Sequence, residues 1–411
     1  MTDLTLLAPD GTTAGVPLRE APVWTKPRGP LTSRVVYAAA HVVPRVAGDN
    51  TPGAAADIDW DATLAFRHHL WSWGLGVADA MDTAQRNAGL DPVAMRELVR
   101  RSAAEARSVG GRIVVGVNTD DIASDGATLD EIVDAYVAQL RHAEEHGAVA
   151  VVMASRHLAR AARTADDYRH VYERVIAAAT QPVVLHWLGA AFDPVLEGYF
   201  GSASASADSV SDAAETVLRI IADAGERVAG IKMSLLDADA EVALRSRLPG
   251  TARMFTGDDF HYVDLMSEQA GRHSDALLGA FAAIAPIAAS AVQALDRGDA
   301  DGFRSVLGPT EALARQVFAA PTWHYKTGIA FLSWLNGHQP AFTMVGGMHA
   351  ARSLPQLSET VRLANACGAL EDPDLAASRW HGLLTLAGVP VGSAGRLGAG
   401  PRGGSRNAVV A

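Results

Sequence analysis

Lysine and cysteine are scarce in this 411-residue chain. Only Lys26, Lys232 and Lys326 are lysines, whereas arginine supplies the other 32 of the 35 basic residues. Cys367 is the only cysteine, which excludes a disulfide within the chain and a metal site built from several thiolates. Guanidinium stays protonated, while a desolvated amine can lose its proton. A lysine inside an apolar segment of such a chain therefore points to amine chemistry.

The chain also lacks the features of a nucleic-acid-binding, secreted or membrane protein. Its net charge is -11 and its pI is near 5.7, whereas phosphate binding needs a basic face. The N-terminal segment has no basic stretch followed by an apolar core. No uncharged apolar run reaches the roughly 18 residues that span a bilayer. We therefore expect a soluble, cytoplasmic protein with neither a nucleic-acid nor a membrane partner.

What the chain does contain is a regular alternation of short apolar runs and amphipathic helical segments. The runs are typical of parallel strands that are covered on both faces. Eight of them are predicted strands, at 34–43, 74–82, 112–118, 148–154, 182–187, 227–233, 252–257 and 276–282. Eight strands, each followed by a helix, predict an α/β fold, the (β/α)8 TIM barrel. A doubly wound sheet is disfavoured, because no glycine-rich fingerprint follows the first strand.

The strand pattern stops near residue 290, and the chain divides into four predicted regions. They are an N-terminal extension at 1–30, the barrel at 31–295, a helical C-terminal region at 296–391 and a tail at 392–411. The tail is rich in glycine, serine and arginine and is predicted to be disordered. The serine-rich segment 201–213 is predicted to be a loop or a weakly structured insertion after the fifth strand.

Polar residues follow the predicted carboxyl ends of the barrel strands, where barrels of this kind build their active sites. They are His41, Asp82, Thr83, Asn118, Asp120, Ser155, Arg156, His186, Lys232, Ser234, Asp258 and Asp259. Each alone has a structural explanation, since a strand-end Asp or Thr commonly caps the next helix. A ring of them around Lys232 instead predicts a pocket that combines a nucleophilic amine with proton-transfer and hydrogen-bonding groups.

The sixth and seventh predicted strands carry two sequences that resemble a known family. "VAGIKMSLLD" contains Lys232, and "MFTGDD" ends in Asp258 and Asp259. They are similar to the dihydrodipicolinate synthase / N-acetylneuraminate lyase superfamily of class I aldolases. Over roughly residues 31–340 the chain resembles a divergent, longer bacterial branch of it. The resemblance implies that Lys232 forms a Schiff base and that the protein is a homo-oligomer, either a dimer or a tetramer.

The loop that holds a substrate carboxylate in that superfamily is only partly retained. The family's Gly-Thr-Thr-Gly-Glu loop falls on "DTAQR", in which Thr83 keeps the first threonine and Ala84 replaces the second. The resemblance thus implies that Asp82 and Thr83 contact the substrate. Arg156 is expected to compensate for the lost threonine.

The family's proton-shuttling tyrosine has no counterpart after the fourth strand, where the chain reads "MASRH". His186 and Ser155 are therefore predicted to transfer protons, with His186 preferred because its ordinary pKa lies near neutrality. Ser234 and Asp258, at the ends of the sixth and seventh strands, are further predicted to bind the substrate.

These features predict a Schiff-base-forming lyase that needs neither a cofactor nor a metal. A desolvated Lys232 would condense with a ketone, and the iminium would act as an electron sink. The predicted reaction is an aldol cleavage or condensation, or a dehydration. The predicted partner is a small-molecule carbonyl substrate, either a keto acid or a keto sugar.

Two other functions stay open on the sequence alone. A metal-dependent barrel, such as a sugar isomerase or class II aldolase, would use His41, Asp82, His186 and Asp258 as ligands. A non-catalytic sugar-binding barrel would account for the missing tyrosine. A third lysine, Lys326, precedes an apolar helix and is predicted to be a surface residue at the helix start, with a position near the barrel mouth as the alternative.

Overall fold

The computed structural model describes residues 3–201, 208–392 and 395–396. The strands are β1 (Leu4–Leu7), β2 (Thr12–Val16), β3 (Val36–Ala39), β4 (Gly76–Asp79), β5 (Ile113–Val117), β6 (Val149–Val152), β7 (Val183–Leu188), β8 (Val228–Ser234), β9 (Arg253–Thr256), β10 (Asp275–Leu278) and β11 (Gly395–Arg396). The α-helices are α1 (Trp60–Ser72), α2 (Pro92–Val109), α3 (Leu129–Glu145), α4 (Arg156–Ala161), α5 (Ala165–Ala178), α6 (Asp208–Ala224), α7 (Ala238–Arg247), α8 (Tyr262–Met266), α9 (Ala280–Ala283), α10 (Ala285–Asp296), α11 (Ala300–Leu307), α12 (Thr310–Val317), α13 (Tyr325–Leu335), α14 (Leu354–Cys367) and α15 (Pro373–Leu386). Among the described helices, none combines the length and apolarity needed to cross a membrane.

Strands β3 to β10 form a closed barrel in the order β10-β3-β4-β5-β6-β7-β8-β9. Every neighbouring pair is parallel. Each of the eight predicted strand segments overlaps one of these strands, so the predicted (β/α)8 fold is confirmed. Because side chains alternate across a strand, one set fills the barrel interior while the other packs under the helices. The interior set is Ala39, Ala78, Met81, Val114, Val151, Met153, Val184, Phe255 and Leu277.

The C-terminal region is helical, as predicted, and it packs against an N-terminal hairpin. β1 and β2 pair antiparallel, and β11 pairs with β2. The Leu7 N–H donates to Ser358 Oγ of α14 at 2.7 Å, and the Trp380 indole of α15 donates to the Thr5 carbonyl at 2.7 Å. The predicted N-terminal extension is thus docked onto the C-terminal helices through this hairpin.

Two predicted irregular segments fall partly outside the described residues. Residues 202–207 of the serine-rich segment lie outside them, whereas α6 already begins at Asp208. The second half of that segment is therefore helical and not a loop. Of the predicted disordered tail, only Gly392 and the two residues of β11 are described, and the Gly392 N–H donates to Thr5 Oγ1 at 3.1 Å. The prediction for the rest of the tail lies outside the described residues.

Candidate active site

Lys232 lies near the carboxyl end of β8, with 9% of its surface exposed. Ile231 and Met233 on either side belong to the core beneath the helices, so alternation along the strand turns Lys232 into the barrel. Its neighbours in register are His186 of β7 and Phe255 of β9. Burial lowers the pKa of Lys232, because an ammonium is poorly solvated there.

Two carboxylates oppose this effect by favouring the charged form of Lys232. They are Asp82, in the turn after β4, and Asp259, after β9. Asp259 is buried and accepts a hydrogen bond from the Ala280 N–H at 2.8 Å. Burial raises the pKa of Asp259 to about 7, while the Lys232 charge and this hydrogen bond act in the opposite direction. Burial thus lowers the pKa of the Lys232 amine and raises that of the Asp259 carboxyl, which brings the two values closer together.

Asp258 has a different environment from its neighbour Asp259. Its carboxylate accepts hydrogen bonds from the N–H groups of Phe260, at 2.8 Å, and His261, at 3.2 Å. It also pairs with His261 Nδ1 at 3.0 Å. Asp258 was predicted to bind the substrate, but its oxygens are taken up by the turn before α8. Of the two carboxyl groups, Asp259 is the one whose charge acts on Lys232.

Gly257 keeps the space around the amine open. A Cβ at this position would lie 2.0 Å from Ser234 Oγ and 2.7 Å from Lys232 Cε. The backbone of the loop after β9 therefore runs directly against the lysine side chain. Only glycine allows this approach without moving Lys232.

A tyrosine from the C-terminal region, which was not predicted from the sequence, lies at the site. The Tyr325 hydroxyl, at the start of α13, lies 2.8 Å from Thr83 Oγ1. Its ring stacks on Phe318 at 4.4 Å and meets the edge of Phe192 at 5.9 Å. Burial raises the pKa of Tyr325 well above its ordinary value, with the Asp82 charge adding to the effect. The phenol is therefore held protonated beside the predicted substrate-binding Thr83.

Lys326 is a second buried lysine at this site, so its prediction as a surface residue is wrong. Only 1% of its surface is exposed. Its Nζ lies 4.1 Å from the centre of the Trp323 ring and 5.0 Å from that of Tyr325, and it donates to the Trp323 carbonyl at 3.3 Å. Burial lowers the pKa of Lys326 to about 8, and Asp82 is the strongest opposing charge. In the described part of the chain, no carboxylate forms an ion pair with it.

The cleft at these residues has both polar and apolar walls. Its walls include Asp82, Asn118, Arg156, Asp193, Trp323 and Lys326. Arg156 forms an ion pair with Asp193, and its guanidinium carbon lies 5.1 Å from the centre of the Trp323 ring. Asp82 belongs both to the cleft wall and to the surroundings of Lys232. Asp82 therefore links the cleft to the surroundings of the buried amine.

The residues predicted to transfer protons are buried beneath or beside this cleft. His186 Nε2 lies 3.2 Å from Ser234 Oγ, and burial, followed by the Lys232 charge, lowers the pKa of His186 well below its ordinary value. The imidazole is therefore neutral at neutral pH. Ser155 accepts a hydrogen bond from the Leu158 N–H at 3.0 Å and so caps α4. Its hydroxyl also contacts Thr119 Oγ1 at 2.6 Å.

The side chains proposed for a metal-dependent barrel do not converge. His41 Nε2 is bonded to Gln339 Oε1 at 2.8 Å, and His186 is paired with Ser234. Among residues 3–201, 208–392 and 395–396, the one His, Cys, Asp and Glu group close enough to hold an ion does not include His41, Asp82, His186 or Asp258. The ligand set suggested by the sequence is thus not assembled at the barrel mouth.

Solved structures of the dihydrodipicolinate synthase family share this barrel. A putative dihydrodipicolinate synthetase from Pseudomonas aeruginosa superposes with a TM-score of 0.56 at 17% identity, covering 79% of this chain and 98% of that chain. YagE from E. coli K12, a prophage protein of the dihydrodipicolinic acid synthase family solved in complex with pyruvate, gives 0.59 at 14%, covering 87% and 99%. A monomeric dihydrodipicolinate synthase variant gives 0.60 at 15%, covering 84% and 100%. The chain therefore has a dihydrodipicolinate synthase-type barrel, and the resemblance predicted from the Lys232 strand is confirmed.

The family itself is defined by sequence. The chain belongs to the family described as "Protein of unknown function (DUF993)", whose model matches residues 4–389. No curated protein matches the chain. Because one of the similar structures is described as monomeric, the expected dimer or tetramer stays a prediction.

Proposed function

We propose that the protein is a Schiff-base-forming lyase of the class I aldolase type, with Lys232 as its nucleophile. The observation that carries this proposal is the Lys232 amine, buried at the carboxyl end of the barrel with Asp82 and Asp259 as its acidic neighbours. Covalent catalysis on a ketone needs an amine that can become neutral in this way. The shared fold with lyases of the dihydrodipicolinate synthase family supports the same class of reaction.

Formation of the imine begins with a proton transfer. The Asp259 carboxyl, with its pKa near 7, takes a proton from Lys232. The neutral Nζ attacks the carbonyl carbon of the substrate, and the electron pair of the C=O bond moves to the oxygen. That oxygen takes a proton from the Tyr325 phenol, which Thr83 orients. The Tyr325 phenolate then takes a proton from the attacking nitrogen and passes it to the new hydroxyl. The hydroxyl leaves as water, so that an iminium remains on Lys232 and a phenolate on Tyr325.

The iminium then accepts an electron pair from the neighbouring carbon. In an aldol cleavage, a base removes the proton of the β-hydroxyl, the carbon–carbon pair forms an enamine, and an aldehyde leaves. In a dehydration, the α-proton is removed and the β-hydroxyl departs as water. We assign this role to the Tyr325 phenolate that imine formation leaves. It is a strong base, because burial raises the pKa of the Tyr325 phenol. Protonation of the enamine and hydrolysis of the iminium regenerate Lys232.

The lining of the cleft favours a keto acid over a neutral keto sugar. Ala84 replaces one threonine of the family's carboxylate loop, but Lys326 brings a positive charge without a carboxylate partner to the same cleft. Arg156 adds a second cation, although Asp193 neutralises it. We infer that the substrate carboxylate binds at Lys326. Asn118, in the same cleft, can bond to the substrate hydroxyl groups.

Borohydride reduction tests the covalent step directly. The protein is incubated with a panel of small keto acids and keto sugars, reduced, and measured by intact mass and peptide mapping. We expect an added mass on the peptide that contains Lys232 and none in the Lys232→Arg variant, which keeps the charge but cannot form an imine. Lys326→Arg is the matched control, because it changes the other buried lysine of the site and should leave the adduct on Lys232.

Three other outcomes would contradict the proposal. An adduct on the Lys326 peptide would transfer the nucleophilic role to that residue. Substantial turnover by Lys232→Arg would remove the Schiff base from the mechanism. Tight binding of a keto acid or sugar with neither turnover nor an adduct would favour the non-catalytic barrel.

A further inference from the structure

A group of two imidazoles and a carboxylate lies apart from the active site, where the first barrel helix meets the C-terminal region. His69 belongs to α1, His338 follows α13, and Glu371 precedes α15. Their nearest ligand atoms all lie within 4.8 Å of one another. His338 Nε2 is 2.8 Å from Glu371 Oε1, and His69 Nε2 is 3.6 Å from the same oxygen. The side chains of the three residues are 16%, 18% and 28% exposed, in that order.

The three side chains are carried by backbone that is held firmly in place. The His338 N–H donates to the Ser333 carbonyl at 2.9 Å, which fixes the turn after α13. Asn336 joins this turn to the segment of Glu371, because its Oδ1 accepts from the Glu371 N–H at 3.0 Å. Its amide nitrogen donates to the Ala369 carbonyl at 2.9 Å. The carboxylate and the second imidazole are thus positioned by the fold and not only by their mutual contact.

An apolar floor supports the two imidazoles. The Phe66 ring, one turn before His69 in α1, is buried and lies 6.1 Å from the His69 ring and 5.6 Å from the His338 ring. The two imidazoles themselves are 4.1 Å apart between centres, tilted by 46°. Such a floor restricts ring rotation and leaves the partly exposed side as the route of entry for an ion.

We propose that His69, His338 and Glu371 form a binding site for a divalent transition-metal ion of the zinc type. Two imidazole nitrogens and one carboxylate oxygen are a ligand set that zinc prefers. Ligands about 2.0–2.1 Å from a tetrahedral ion lie about 3.3 Å apart, and the separations of 2.8 Å and 3.6 Å to Glu371 bracket this value. The fourth position faces the solvent and would hold a water molecule.

A metal at this site would join the barrel to the C-terminal region. One ligand comes from a barrel helix, a second from the turn after α13, and the third from the connection between α14 and α15. The region they hold also carries α13, which brings Tyr325 and Lys326 to the active site. The ion would therefore stabilise the arrangement of the two parts without contacting the substrate. This inference is independent of the proposed lyase activity.

Calorimetric titration with ZnCl2 tests the site on the full-length protein. The protein is first treated with a chelator and then transferred to chelator-free buffer. We expect one zinc ion per chain, and a rise in Tm of about 3 °C at a hundredfold excess over Kd. His338→Ala and Glu371→Gln should each weaken binding by at least about tenfold. MgCl2 should give no comparable binding, because magnesium prefers an all-oxygen site.

The matched control removes two other histidines whose rings also touch. His142 and His146 lie 4.7 Å apart between ring centres at the end of α3 and do not belong to the cluster. The double variant His142→Ala, His146→Ala should bind zinc like the wild type. Circular dichroism confirms that each variant is folded, and His69→Ala provides a third independent loss of a ligand. Absence of zinc binding in the wild type, or equal affinity in the wild type and His338→Ala, would overturn the proposal.

Discussion

Replacement of Lys326 by methionine should make the protein more stable and less able to bind its substrate. The pKa of this lysine falls from its ordinary 10.5 to about 8 on burial. At about 1.4 kcal/mol for each pKa unit, burial of the charged ammonium at pH 7 lowers the free energy of unfolding by roughly 3 kcal/mol. The contacts with the Trp323 and Tyr325 rings return on the order of 1 kcal/mol. Lys326→Met fills the same space without a charge, so its free energy of unfolding should be about 2 kcal/mol higher than that of the wild type.

The gain should depend on pH in one direction. Between pH 8 and 10.5 the unfolded chain holds a proton on Lys326 that the folded protein has lost, so the wild type gains stability relative to the variant as the pH rises. At pH 7, urea unfolding should thus show a higher free energy of unfolding for Lys326→Met, and thermal unfolding should show a Tm about 2–3 °C higher. Both differences should vanish near pH 10.5.

Binding measurements complete the test of Lys326. Calorimetry with a keto acid should show at least about tenfold weaker binding by Lys326→Met, since a charge-assisted hydrogen bond to the carboxylate is lost. Lys26→Met is the control, because that lysine is exposed and bonds to Ser72 Oγ away from the cleft. A variant that is less stable than the wild type at pH 7, or that binds the keto acid equally well, would refute the reasoning.

Four further substitutions probe the site and its surroundings. Tyr325→Phe should slow both imine formation and turnover by about a hundredfold or more, because the phenol protonates the carbonyl oxygen. His186→Ala, predicted from the sequence to slow turnover while the imine still forms, is compared with it, and a residue whose variant keeps near wild-type turnover loses its role. Gly257→Ala should abolish imine formation in a protein that remains folded, because its methyl group would displace Lys232; normal trapping would contradict this. Burial raises the pKa of Glu241 from 4.5 to about 8. Between these pH values the folded protein keeps a proton on Glu241 that the unfolded chain has lost, so the free energy of unfolding falls as the pH rises towards 8. Glu241→Gln should flatten that dependence and gain up to about 3 kcal/mol at pH 7, and an unchanged pH profile would exclude the effect.

The barrel could be predicted because its signals are local. Each strand is a short apolar run bounded by polar or glycine residues, and a buried parallel strand requires nothing more of its sequence. The position of Lys232 was predictable for the same reason, since alternation along β8 decides which side chains enter the barrel. The choice between Asp258 and Asp259 was not, because adjacent residues after a strand differ only in the turn they form. That turn is set by hydrogen bonds to Phe260 and His261.

The contribution of the C-terminal region could not be read from the sequence. Thr83 and Tyr325 are separated by 242 residues, and their contact depends on how α13 packs against the barrel. The segment "TWHYKTG" offers a local signal only in retrospect, since it places an indole, a phenol and an amine within four residues. Without knowledge of the packing, a lysine before an apolar helix is best read as a surface residue. The structure instead buries Lys326 over two aromatic rings.

Lys232 and Lys326 are both buried and both feel the charge of Asp82, so either could in principle attack the substrate. Their surroundings give them different roles. Lys326 faces the rings of Trp323 and Tyr325, whose π-faces stabilise a cation and not a neutral amine. Lys232 has Phe255 as its neighbour in register, but no aromatic ring lies beneath its ammonium among the described residues. It has instead the Asp259 carboxyl, with a pKa near 7, as an acceptor for its proton. Lys326 is therefore suited to hold an anion, and Lys232 is suited to give up its proton and form the imine.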